Sequence, residues 1–270
     1  MSKKYPLPSP LLLLLPLLAV LGGCPVTQDQ QTPVEPTVLR AGEHKYWLYV
    51  PSTYTPDREW PMVVTLHGTF GFDDGGAQIR EWKRLAEDNG LIVAAPALKS
   101  VQGILPVIKS MWHRDLETDE RAVLAVMDDV QANYRIGTYT TNPKPRRGLP
   151  TTRPAVLLSG FSAGGYPMYY IGLRNPERFG MILGRSCNSD VDLFDSLEPT
   201  LSPQARQLPI YMFWGRDETA MARHNWNAIA WLSRHGFKNT DWKTIPGGHW
   251  RHPEVAYNVW KNELPAAMIP

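Results

Sequence analysis

Two periods alternate along the chain: short apolar runs, and longer segments whose apolar residues recur every three or four positions. Residues 62–66 (Met-Val-Val-Thr-Leu) and 91–95 (Leu-Ile-Val-Ala-Ala) are almost wholly apolar, as strands covered on both faces are. The run Val156-Leu157-Leu158 has the same character. An aromatic-rich strand is predicted over 45–50, ended by Pro51, and further strands over 181–184, 208–214 and 242–245. Between them the helical period places Ile79, Trp82, Leu85 and Ala86 on one face of 78–89, with Gly90 as its stop. It likewise places Val123, Val126, Met127 and Val130 on one face of 118–134, and Trp226, Ile229, Ala230 and Ser233 on the inner face of 224–235. Helices are also expected over 166–174 and 254–262. Strands that alternate with helices predict an α/β chain with a doubly wound, mostly parallel sheet in a single domain over 38–270. Residues 98–114 and 185–207 show no clear period; the first is expected to be a loop over the site. Residues 137–154, rich in Thr, Pro, Arg and Gly, are expected to be an exposed insertion.

The first 37 residues change this picture. Lys3 and Lys4 precede an apolar stretch from Leu11 to Leu21, which has the layout of a secretory signal peptide and is short for a membrane span. It closes on Leu21-Gly22-Gly23-Cys24, an ending similar to a bacterial lipobox. That resemblance implies a signal segment over 1–23, cleavage before Cys24, and acylation of Cys24 as a membrane anchor. Residues 24–37, rich in Gln, Thr and Pro, would then be a flexible tether. The expected location is the cell envelope, facing the periplasm or exterior. With Cys24 acylated, Cys187 has no partner in the chain and is expected to be a small buried side chain.

Loss of Lys3 and Lys4 leaves 26 of the 28 Lys and Arg against 26 Asp and Glu, a balance that gives no electrostatic case for nucleic acid. With 43% hydrophobic residues over 270 positions, the chain can bury a full core.

Candidate chemistry gathers where the run 156–159 enters Gly160-Phe161-Ser162-Ala163-Gly164-Gly165. A strand, a Gly-x-Ser-x-Gly turn and a helix form a nucleophile elbow, which lifts a serine hydroxyl clear of the backbone so that a base can take its proton. Ala163 N–H, at the start of the helix, is placed to stabilise a developing oxyanion. The loop after 62–66, His67-Gly68-Thr69-Phe70-Gly71, supplies the second donor, assigned to Thr69 with Phe70 as the alternative. Asp217 follows the strand over 208–214, and His249 follows the last strand within Gly247-Gly248-His249-Trp250. Ser162, Asp217 and His249 therefore occur in the order nucleophile, acid, base, each after a strand. Glu218 and Asp190 are the alternative acids and His252 the alternative base. His113 precedes the nucleophile and is assigned to the surface or to substrate contact. Asp128 and Asp129 lack further ligands at metal spacing and are expected to be solvated or capping carboxylates. The scheme uses no metal or organic cofactor.

These stretches, together with 45–51 and Asn175-Pro176-Glu177-Arg178-Phe179, resemble the polyhydroxybutyrate depolymerase and feruloyl esterase group of α/β-hydrolases. The family often has Cys after His-Gly and Gln two residues later, where this chain has Thr69 and Gly71. The resemblance implies the α/β-hydrolase fold and a serine esterase that cleaves carboxylic esters, of a polyester or of feruloyl or acetyl groups on glycans. Trp112, Trp214 and Trp250 would offer flat apolar surface to the substrate. A peptidase of the same fold and a non-catalytic ligand-binding lipoprotein are the competing expectations.

Overall fold

The computed structural model describes residues 35–102, 109–140 and 151–269, with the side chains of 109–114 outside the description. Within them ten strands form: β1 (Thr37–Ala41), β2 (His44–Tyr49), β3 (Met62–Leu66), β4 (Ile92–Pro96), β5 (Thr138–Thr140), β6 (Thr152–Pro154), β7 (Val156–Phe161), β8 (Met181–Arg185), β9 (Ile210–Gly215) and β10 (Thr240–Ile245). Six α-helices accompany them: α1 (Gly75–Asn89), α2 (Lys109–Asn133), α3 (Gly165–Arg174), α4 (Val191–Leu197), α5 (Thr219–Arg234) and α6 (Pro253–Lys261). Eight strands make one sheet in the order β1-β2-β4-β3-β7-β8-β9-β10. The β1–β2 and β2–β4 pairings are antiparallel and the other five are parallel. This is the expected α/β-hydrolase arrangement.

The apolar strands are buried on both faces because helices cover both. On β3, Met62, Val64 and Leu66 join one core while Val63 joins the other; on β7, Val156 and Leu158 face one way and Leu157 the other. The first core takes Val123, Val126, Met127 and Val130 from α2, Ile171 from α3, Phe194 from α4 and Trp231 from α5. The second takes Ile79, Trp82 and Ala86 from α1, and Tyr257 and Trp260 from α6. Burial of a valine, isoleucine, methionine or phenylalanine among these contributes about 1.5–3 kcal/mol.

Several elements depart from their sequence expectation. Helix α2 begins at Lys109, inside the stretch expected to be a loop, and α4 occupies part of 185–207. Helix α5 buries Asn225, Ala228, Trp231 and Leu232 rather than Trp226, Ala230 and Ser233. Trp226 is instead exposed and packs edge-on against Trp214 and Trp242, which draws it to the sheet edge and turns the helix about its axis. The signal segment, Cys24, the tether up to residue 34 and most of the 137–154 insertion lie outside the described residues, although the two ends of the insertion pair as β5 and β6. The end of the expected tether belongs to the domain instead: Glu35 pairs with Lys83 at 2.9 Å and Thr37 opens β1, where it faces Leu48. Asp128 pairs with Arg178 at 2.6 Å and Asp129 accepts from the Tyr46 hydroxyl, so both carboxylates are engaged.

Candidate active site

Parallel strands all deliver their following loops to the same sheet edge, and the loops after β3, β7, β8, β9 and β10 converge there. The elbow is the most constrained of them. A Cβ on Gly160 would stand 2.4 Å from Gly164 O, and one on Gly164 would stand 2.6 Å from both His67 O and Leu66 O, so neither position accepts a side chain. Ser162 sits between them at φ 51°, a left-handed conformation that costs a non-glycine residue about 1–3 kcal/mol and lifts its hydroxyl out of the turn. Helix α3 follows after the short turn Ser162–Gly164, so Ala163 N–H belongs to a helix start, where amides lack intrahelical acceptors.

Across the site, the loop after β3 carries the two candidate second donors, Thr69 and Phe70. Gly68 N–H donates to Asp73 Oδ2 at 2.7 Å and Phe70 N–H donates to Val101 O at 2.9 Å. The Thr69 N–H between them has no acceptor among the described residues, which favours Thr69 over Phe70 as an oxyanion donor. His67 is buried behind this loop. Leu98 N–H donates to its Nε2 at 3.2 Å, so Nδ1 carries the proton that goes to Gly68 O at 2.8 Å. Burial holds the pKa of His67 below the ordinary histidine value, which keeps this ring neutral.

Of the candidate acids, the structure brings Glu218 rather than Asp217 to His249. Asp217 is exposed, and what it gives the site is its backbone N–H, donated to Gly247 O at 3.2 Å. Glu218 is buried, and its Oε1 lies 3.3 Å from His249 Nδ1. The turn after β9, closed by Glu218 N–H donating to Gly215 O at 3.2 Å, directs residue 218 inward and residue 217 outward. Ser186, itself at φ 44° after β8, donates from its hydroxyl to Glu218 Oε1 at 3.1 Å. Asp190 is occupied elsewhere as the N-cap of α4, where it accepts from Asp192 N–H. His249 is partly exposed, and its ring packs on Phe161, the neighbour of Ser162, with centroids 4.8 Å apart.

Ser162, His249, Thr69 and Trp250 border one cleft of about 590 Å³. Phe72 and Trp250, 76% and 65% exposed, stand among its lining residues as uncovered apolar surface. His252, the alternative base, engages Glu254 Oε1 through Nδ1 at 2.7 Å, whereas His249 meets the buried acid. Trp112 and His113 lie on α2 among the residues whose side chains are not described. Trp214, expected with them as substrate surface, is instead buried and packs against Trp226 and Trp242. Cys187 is buried, and burial pushes its thiol up to about 12, which makes it a poor nucleophile. Among the described residues no group of His, Cys, Asp or Glu could hold a metal ion.

The sequence reading missed Arg185, Asp73 and Arg251. Arg185 ends β8 fully buried, with its pKa drawn down to about 10 by burial, against the pull of the Glu81 and Asp73 carboxylates. A charged residue closing an otherwise apolar strand was the available signal.

A family model described as "Putative esterase" matches residues 41–268. Among solved structures, the chain is similar to the ferulic acid esterase Fae1A of the anaerobic fungus Anaeromyces mucronatus, with 16% identity, a TM-score of 0.61, and coverage of 89% of this chain and 96% of that one. It is similar to FphF, a fluorophosphonate-binding serine hydrolase of Staphylococcus aureus, with 14% identity, a TM-score of 0.59, and coverage of 85% and 98%. A thermostable esterase matches with 18% identity and a TM-score of 0.51, over 84% of this chain, which spans 60% of that esterase's length. No curated protein sequence matches.

Proposed function

Because the chain belongs to this esterase family and is a serine carboxylic ester hydrolase of the α/β-hydrolase fold, we propose that Ser162, His249 and Glu218 are its catalytic triad. The observation that carries the assignment is the buried Glu218 carboxylate 3.3 Å from His249 Nδ1, on the cleft that Ser162 enters in its left-handed conformation. With Nδ1 directed at the acid, Nε2 is the nitrogen left to act on the serine. Ser162 Oγ attacks the ester carbonyl carbon and gives its proton to His249 Nε2, while Glu218 fixes the tautomer and stabilises the imidazolium. The carbonyl oxygen becomes an oxyanion and accepts from Thr69 and Ala163 N–H. The tetrahedral adduct collapses, the ester C–O bond breaks, and the alcohol leaves with the proton from His249. Water, activated by the same imidazole, then releases the acid and restores Ser162.

The proposed setting is outside the cytoplasm, on a membrane-tethered chain anchored through acylated Cys24, and the Leu21-Gly22-Gly23-Cys24 ending supports it. The proposed substrates are esters of short or aromatic acids on a polymer or glycan. Support comes from Trp250 and Phe72, whose exposed rings border an open cleft that an extended substrate can enter. A p-nitrophenyl acetate assay of wild type and Ser162→Ala tests the mechanism: turnover should be lost in the variant, and full activity there would end it. A panel of acetyl, butyryl and feruloyl esters, soluble and polymer-bound, tests the substrate class.

A further inference from the structure

A set of charged side chains, of which Asp73, Glu81 and Arg251 border the cleft, joins the loops that carry the proposed oxyanion donor and base. Asp73, nearly fully buried, accepts from Gly68 N–H through Oδ2, one residue before the Thr69 donor, and from Gln78 Nε2 through the same oxygen at 2.7 Å. Its Oδ1 lies 3.2 Å from Arg251 Nη2. Arg251 is two residues beyond His249, and its other terminal nitrogen donates to Glu81 Oε1. The backbone of Arg251 is held too: its carbonyl accepts from Arg185 Nη1 at 3.3 Å, while Arg185 Nε donates to Ser159 Oγ on the elbow strand at 2.9 Å. The Arg251 guanidinium also lies over the Phe161 ring, 5.3 Å from its centroid. Two guanidiniums and two carboxylates thus balance, and each bridges elements far apart in sequence.

We propose that Asp73 and Arg251 act as a pair of positioning residues, a charged brace that holds the Thr69 N–H and the His249 loop together in the geometry the transition state requires. This rests on the catalytic roles proposed above for Thr69 and His249. The fork of Arg251 explains the residue type, since a planar guanidinium can reach Asp73 and Glu81 at once and a lysine ammonium cannot do so with the same geometry. The carboxylate at residue 73 serves two masters, the Gly68 amide and the Arg251 guanidinium, so loss of either contact loosens the other. Asp73, Glu81 and Arg251 also border the cleft, so a brace is told from a substrate contact by where the loss falls: misplaced donors and base lower kcat and transition-state affinity, whereas a lost ground-state contact raises KM.

The experiment compares the full-length wild type with Asp73→Asn, Arg251→Lys and the double variant. It measures kcat and KM on a short-chain p-nitrophenyl ester, affinity for an alkyl boronic acid that forms a tetrahedral serine adduct, and folding by circular dichroism. The expected result is a loss of kcat of about 10- to 100-fold in each single variant with KM within about two-fold, a scale set by small misplacements of catalytic groups. Boronate affinity should fall in parallel, and the double variant should lose no more than the worse single, because the brace is broken only once. Folded variants that keep kcat within about two-fold, lose only KM, or show losses that multiply would overturn the proposal. If Asp73→Asn does not fold, Arg251→Lys, at a less buried site and with the charge kept, carries the test through kcat and boronate affinity. A wild type with no ester turnover and no fluorophosphonate labelling would remove the catalytic reading itself, whereas an active wild type with unaffected variants removes the brace alone.

Discussion

Glu218 and Asp217 differ by one methylene and one position, yet only residue 218 is turned into the protein, where its carboxylate meets His249. Glu218→Gln keeps the volume and removes the charge that favours the imidazolium, so kcat for ester hydrolysis should fall by about 10²- to 10⁴-fold. Asp217→Asn, which leaves the backbone donation to Gly247 O intact, should change kcat less than two-fold or so; the reverse ranking in steady-state assays would restore Asp217 as the acid. The strand ends and the motif spacing made Ser162, His249 and the neighbourhood of the acid legible. The choice between adjacent acids depends on a turn whose sense is set by the Gly215–Glu218 hydrogen bond, which no periodicity encodes. His67 bears on stability instead. Its folded pKa is depressed, so the unfolded chain binds a proton that the native state resists once the pH falls below the unfolded value of about 6.5. The contribution of His67 to stability is therefore fully kept above that value and declines as pH falls from there toward the folded pKa. His67→Gln should be less stable at pH 8 but show a shallower decline between about pH 6.5 and 5 in denaturant titrations; an unchanged slope would mean that His67 is not the group responsible.

At the scale of elements, the all-apolar strands were the clearest features of the chain, because burial on both faces leaves no room for polar residues. Met62–Leu66 coincides with its predicted span. Helix α1 begins three residues before its predicted start, since its first turn holds Gly75 and Gly76, which carry no helical signal. Its true signal is Asp74, whose side chain accepts from Ala77 N–H at 2.6 Å as the N-cap. Asp74→Ala should lower stability by about 1 kcal/mol and leave ester turnover unchanged, a sharp contrast with its neighbour Asp73. A drop in kcat at constant Tm would contradict that division of labour. The elbow sets a different constraint: Gly164→Ala forces a methyl against the carbonyls of Leu66 and His67, so the strand–turn–helix must shift and ester turnover should collapse even in protein that retains helical circular dichroism. The inner face of α5 was illegible because the helix carries two tryptophans, and Trp226, whose size and polarity suit the core, packs outside on Trp214 and Trp242 while Trp231 fills the core.

For the whole molecule, the question is what holds an esterase domain where its substrate is. No helix among the described residues is long and apolar enough to cross a membrane. The proposed attachment is chemical: cleavage before Cys24 and acylation there, followed by a Gln-, Thr- and Pro-rich stretch that ends where β1 begins at Thr37. A single acyl chain binds a bilayer weakly and reversibly, whereas two or more on one residue hold it firmly, each buried methylene adding about 0.8 kcal/mol. Cys24→Ala should therefore move the protein from the membrane fraction to the soluble fraction, and metabolic labelling with a clickable palmitate analogue should disappear with it. The tether makes the second half of the prediction. If 24–37 does no more than span the distance from the bilayer to the domain, the released variant should hydrolyse a soluble ester with unchanged kcat and KM, and lose rate only on substrate displayed at the membrane or wall. Retention of Cys24→Ala in the membrane fraction would point to attachment by another part of the chain, and the exposed Trp226 and Trp242 beside the edge strand β10 would be the first surface to mutate.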